Sequence, residues 1–221
     1  MPKEDYVAVP TQDLINLYIH EFDNYNQNAI DDAVLRTVFT TYDNSSIENV
    51  LIKTILLNNR YSAGLNDRPS ERNNIAIDVY NMSVIISNGF REVNTIQEAI
   101  DSIESINNTV VRDARKKKAY SFLSKYYYWT YEPHDQMKIP IYDGYARGML
   151  YYLSKKDTCD YLPYFKQDDI ATYRDYYAKY VSVLEQINLH LQSDFSVREF
   201  DKYLWMYAKE LEQNHHINIK I

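Results

Sequence analysis

Lys125 and Asp143 are the two side chains of this sequence best suited to do chemistry together. An unprotonated lysine amine attacks electron-poor carbon, and a carboxylate beside it stabilises developing cationic charge. They lie in the segment SFLSKYYYWTYEPHDQMKIPIYDGYARGM. Asp143 falls at the start of the helix expected after Pro140, where backbone N–H groups and the helix dipole hold a carboxylate ionised. It lies 18 positions after Lys125, room for one helix and its return, so both can face one cleft. Arg147 follows Asp143 by one turn, the spacing of a helical ion pair. Arg60 and Tyr61, at the end of an apolar helix, are placed to line the same cleft.

Other candidates carry less. No Walker motif or glycine-rich phosphate loop is present. His215 and His216 sit in a polar tail with no third ligand close in sequence, so no metal is expected. Cys159 has no histidine within a few residues to act as a base, and reads as structural. Asp168 and Asp169 read as first-turn residues favoured by the helix dipole. No cofactor is implied.

The elements that must position these residues are helices. Gly numbers 4 and Pro 6 in 221 residues, few punctuators for such a length. Thr11 caps a first helix through Leu14, Leu17, Tyr18 and Phe22, and a second runs from Asn28 to Phe39. Ser45 or Ser46 opens a third carrying Ile47, Val50, Leu51, Thr54, Ile55 and Leu56. Both its faces are apolar, which predicts a central position. Ile75 to Ile86 mark a fourth, ended near Asn88-Gly89. Thr95 and Glu98 form a capping box before Ile96, Ala99, Ile100, Ile103 and Ile106. Further helices are predicted from Asn108 to Ala119, from Tyr120 to Tyr131, after Pro140, from Asp168 to Leu191, and from Ser196 onward. The prediction is an all-α fold of eight to ten helices, one domain over residues 1–221 with room for two lobes around a cleft.

Hydrophobic residues make up 45% and charged residues 25%, a globular balance. No run of 18 apolar residues occurs, and MPKEDYVAVP lacks the order of a signal peptide, so a cytoplasmic protein is expected. Tyr is present 23 times against 7 Phe. That composition suits half-buried positions with the hydroxyl in water. The formal charge of −7 is unusual for a nucleic-acid binder, which leaves Arg112, Arg115, Lys116, Lys117 and Lys118 as the candidate basic patch.

The Lys125–Asp143 segment resembles the core of the helix-hairpin-helix DNA glycosylase superfamily. By that resemblance Lys125 matches the Schiff-base lysine of the bifunctional members, Asp143 their essential aspartate, and Arg147 the arginine that commonly follows. The helix from Ile47 with Asn58, Asn59, Arg60 and Tyr61 looks like an early core helix of that fold. The chain is also similar to a group of uncharacterised bacterial proteins with a YSFxSKY…PIYD core and a late DKYLW element, here Asp201 to Trp205. The resemblances cover about Ile47 to Leu153 and Ser196 to Tyr207. They imply base excision in DNA repair, with Lys125 attacking the sugar C1′ of a flipped nucleotide and Tyr128 or Trp129 stacking on its base. The hairpin glycines of the superfamily are replaced by Tyr120-Ser121-Phe122-Leu123-Ser124, so Ser121 or Ser124 would have to contact phosphate. Its iron–sulfur cysteines are absent. Three readings follow: a glycosylase-like enzyme acting on DNA, a binding or regulatory protein that keeps the fold without the chemistry, and an unrelated helical protein that self-associates or binds a small molecule.

Overall fold

The computed structural model describes residues 7–61, 65, 77–114, 119–132, 137–155, 159–216 and 219–220. Among them are nine α-helices: α1 (Gln12–Asn24), α2 (Asn26–Thr41), α3 (Ile47–Tyr61), α4 (Val79–Gly89), α5 (Ile96–Ala114), α6 (Tyr120–Tyr131), α7 (Gly144–Leu153), α8 (Tyr173–Leu191) and α9 (Val197–His215). The described residues contain no β structure beyond one bridge residue at Asp78. No helix among them is long and apolar enough to cross a membrane.

Small polar side chains set the starts. The Thr11 side chain accepts the Leu14 N–H, Ser46 that of Asn49 and Asp78 that of Asn81. Thr95 with Glu98 and Ser196 with Glu199 each close a capping box, satisfying donors that the first helical turn leaves unpaired. The helix expected from Asp168 to Leu191 is divided. Gln167–Ile170 forms a 3-10 turn, and α8 starts afresh at Tyr173 behind Thr172, whose hydroxyl accepts the Asp175 N–H. Asp168 and Asp169 belong to that turn, and Asp169 accepts the Lys166 N–H. The charged stretch from Asn108 is not a separate helix up to Ala114 but the end of α5.

The chain divides into two compact units. Residues 30–139 form one, with most of α2 and all of α3 to α6. Its central helix is α6, in which every residue except Ser121 and Thr130 is buried. The Phe39, Phe90 and Phe122 rings pack on Tyr126. The expectation that α3 is central is corrected: Val50, Thr54 and Leu57 are buried, but Ile52 and Ile55 are exposed. Helix α3 packs on α4 and α6, and the opposite side meets solvent.

Residues 1–29 and 140–221 form the other unit, in which α9 packs on α1 and α7. A file of rings runs through it, from Tyr142 over Tyr176, Tyr180, Phe200 and Tyr203 to Tyr207. Tyrosine is therefore core material here rather than a wet margin. The buried hydroxyls are met inside: Tyr173 donates to the Pro140 carbonyl, Tyr176 to Ile141 and Tyr180 to Val197, at 2.9, 2.9 and 2.8 Å. Each ring contributes about 1.5–3 kcal/mol by burial, and its bonded hydroxyl avoids the desolvation cost of an orphaned one.

Candidate functional site

The two residues first singled out belong to different units, Lys125 to residues 30–139 and Asp143 to the other. Lys125 is on α6 and only 2% exposed. Its amine donates to Ser121 Oγ at 3.0 Å, one turn earlier, and stands 5.3 Å from the centre of the Tyr61 ring. Lys125, Ser121 and Tyr61 are thus brought together. The Tyr61 hydroxyl reaches Asp32 at 3.4 Å. Ser124 is fully buried and donates to the Ser121 carbonyl. Arg60 forms an ion pair with Asp31, at 2.8 Å. Tyr128 and Trp129 are both buried and meet edge to face, and the Trp129 indole N–H has no hydrogen-bond partner among the described residues.

Asp143 is the N-cap of α7, and its carboxylate accepts the Tyr145 N–H at 2.8 Å. The Arg147 guanidinium lies over the Tyr142 ring at 4.4 Å. Close by in the same unit, the Tyr145 hydroxyl donates to Glu212, and the Lys209 amine sits 3.6 Å above the Trp205 ring. Burial pushes the Lys209 amine down, and the Asp143 charge pulls it up.

A second polar arrangement in residues 30–139 surrounds another lysine. Lys53, in the middle of α3, is 1% exposed. Its amine donates to Asn44 Oδ1 at 3.0 Å, and the Tyr126 hydroxyl donates to the same oxygen at 2.6 Å. The Phe39 ring is 5.1 Å from the amine. Asn44 is held by the turn before α3, where the Asp43 carboxylate accepts from the Ser45 backbone, the Ser45 hydroxyl and Asn49. These bonds hold the Asp43 carboxyl down at about 2. Burial pushes the Lys53 amine down to about 8, with Asp43 pulling the other way. A cavity of about 310 Å³ opens on Lys53 and Asn44, walled by Phe39, Phe90 and Tyr131 with Thr130 beside them. The Tyr131 hydroxyl accepts the Val93 N–H at 3.0 Å and fixes one side of it.

The sequence did hold a signal for Lys53. A lysine inside Val50-Leu51-Ile52-Lys53-Thr54-Ile55-Leu56-Leu57, one turn before Leu57, stands on an apolar helix face where an amine requires a built partner. Asn44 and Tyr126 carry no such mark, because their meeting depends on how α3 and α6 pack. The side chains of the basic run from Arg112 to Lys118 lie outside the described residues. Among the described residues no group of His, Cys, Asp and Glu is gathered that could hold a metal ion.

Residues 14–135, more than half of the chain, match the family model described as HI_0787_N, N-terminal domain. An uncharacterized protein of Haemophilus influenzae is 31% identical over 97 residues, which is 44% of this chain. The aligned part spans about 40% of that relative's length. No solved structure matches. The family match includes Asn44, Lys53, Lys125 and Tyr126, and ends before Asp143.

Proposed function

This protein belongs to the family of the HI_0787_N N-terminal domain, and from that footing we propose that it is a binding protein on a glycosylase-like helical scaffold, in which Lys125 packs rather than reacts. What carries this reading is that Lys125 and the residues offered for phosphate and base are all engaged within the fold. An amine that forms a Schiff base with a flipped sugar must be met by C1′ at bonding distance. Lys125 is 2% exposed, with its amine set between the Ser121 hydroxyl and the Tyr61 ring. The residues offered for phosphate and base are engaged as well: Ser121 by that amine, Ser124 by a backbone carbonyl, and Tyr128 and Trp129 by the core. DNA is the partner to test, because the resemblance implies it. At a formal charge of −7, binding is expected to be weak and to fall steeply with salt.

A second reading, the glycosylase itself, is supported by Asp143. Its position at the N-terminus of α7 is where the resemblance sets the aspartate, and Arg147 follows one turn later. One experiment separates the two. The protein is incubated with a duplex containing an abasic site, with and without borohydride, and duplex binding is followed at low salt. Binding without a covalent adduct is the expected result. An adduct that disappears in Lys125→Ala overturns the proposal and establishes the lyase. Neither adduct nor binding removes DNA as the partner.

A further inference from the structure

We infer that Lys53 is a reactive amine whose cavity admits a small uncharged aldehyde and captures it as a Schiff base. The inference stands apart from the role of Lys125 and from DNA binding. Three features of the site carry it.

The first is placement. Lys53 is fixed by the Asn44 carbonyl oxygen and the face of Phe39, and its side chain is almost wholly withdrawn from bulk water. A lysine stripped of water in this way loses its preference for the charged form, and at neutral pH a usable fraction carries a free lone pair. The second is access. A cavity of about 310 Å³ opens on Lys53, enough for a molecule of one aromatic ring. The third is the lining, which combines the aromatic walls Phe39, Phe90 and Tyr131 with Thr130 and Asn44. Asp43 and Glu92 also border the space. Two carboxylates at the border repel an anionic carbonyl compound and leave an uncharged one unaffected. Aromatic walls favour a flat, apolar body behind the carbonyl.

The chemistry balances without any further cofactor. The Lys53 Nζ lone pair forms a bond to the carbonyl carbon, and the C=O π pair moves to oxygen, which takes up the proton released by nitrogen. The carbinolamine then loses its hydroxyl as water, using one proton from solvent, and the nitrogen lone pair forms the C=N bond of the protonated imine. No oxidant or reductant is consumed.

The test uses the full chain at pH 7 with benzaldehyde as the uncharged probe and glyoxylate as the anionic one. Sodium cyanoborohydride reduces any imine to a stable secondary amine, and peptide mass mapping locates the label. Lys53 is expected to take up benzaldehyde roughly ten- to a hundredfold faster than the other lysines, since a lower amine pKa raises the unprotonated fraction by about tenfold per unit. It is expected to favour benzaldehyde over glyoxylate, whereas exposed lysines react with both. Uniform labelling, or Lys53 left as the least reactive lysine, overturns the inference. So does equal labelling of Lys53 by the two probes, which sinks the selectivity that the lining implies. Because the map is read on the unaltered protein, the result does not depend on whether Lys53→Arg folds. Where that variant keeps its helical circular dichroism, benzaldehyde uptake falls to the level of glyoxylate.

Discussion

Asp201 stands among the tyrosine rings of residues 140–221, and no other carboxylate in the described chain is as fully withdrawn from water while titrating so far from its usual range. It is buried, its Oδ2 accepts the Ile141 N–H at 3.2 Å, and burial pushes its carboxyl up to about 7, with Arg198 pulling the other way. Its Oδ1 has no hydrogen-bond partner among the described residues. Between about pH 4 and pH 7 the native state keeps a proton that the unfolded chain has released. The native state therefore binds more protons, and stability falls as pH rises through that window. Below it the contribution is fully present, and above it the contribution is lost. Asp201→Asn fixes the group in a neutral form that can still accept from Ile141. Denaturant unfolding measured at pH 4, 5.5 and 8 should show the difference between variant and native protein growing with pH. At pH 8 the variant should be more stable by an amount on the order of 2–4 kcal/mol. A constant difference across the series would show that Asp201 titrates as an ordinary aspartate. Lys53 obeys the same logic with the charge reversed, since burial there favours the neutral amine.

Helix α7 shows how one residue type fixes an element. Its Ala146, Gly148, Met149, Leu150 and Leu153 are buried, and the backbone of Ile219 comes down on Gly148. A Cβ at Gly148 would lie 1.8 Å from the Ile219 carbonyl oxygen, a distance no side chain occupies. Ile219 itself is fully buried, so the contact cannot open without exposing it. Gly148→Ala gains helix propensity of about 1 kcal/mol but must displace a packed backbone. The net expectation is a loss of about 1–3 kcal/mol, read as a fall in thermal midpoint, whereas a neutral or raised midpoint would mean that the segment holding Ile219 shifts freely. Removing residues 217–221 together with the Gly148→Ala change should then restore the propensity gain, because the obstruction has gone.

At the scale of the whole molecule the unusual composition becomes a titration behaviour. Burial pushes the phenols of Tyr173, Tyr176, Tyr180 and Tyr203 well above the ordinary tyrosine range, and Tyr126, Tyr127 and Tyr161 move the same way. For each of these groups the folded state holds its proton more tightly than the unfolded state. Their stabilising contribution is complete below about pH 10 and is lost as pH rises further. Alkaline titration should therefore be cooperative. Tyrosinate absorbance from the buried rings is expected to rise together with the loss of helical circular dichroism, after the exposed tyrosines have titrated. A smooth rise centred near pH 10 with helix intact would show that water reaches the hydroxyls.

Periodicity and capping chemistry act over one or two turns, so the sequence by itself determined the all-α class, the helix starts at Thr11, Thr95 and Ser196, and the position of Asp143 at the head of α7. It misjudged elements whose character depends on distant neighbours. The apolar pattern of α3 runs all round the helix, yet only the packing of α4 and α6 decides that Ile52 and Ile55 face solvent. The stretch from Asp168 to Leu191 has helical spacing throughout, but Thr172 competes for the backbone as a new cap and splits it. Lys125 and Lys53 look alike in sequence, each a lysine within an apolar helix. The Ser121 hydroxyl beside Lys125 is a neighbour one turn away on the same helix, but only tertiary packing sets the Tyr61 ring there and gives Lys53 an amide oxygen shared with Tyr126 and an open cavity. The ring, the shared amide oxygen and the cavity that an amine meets come from residues far along the chain, which no local pattern records.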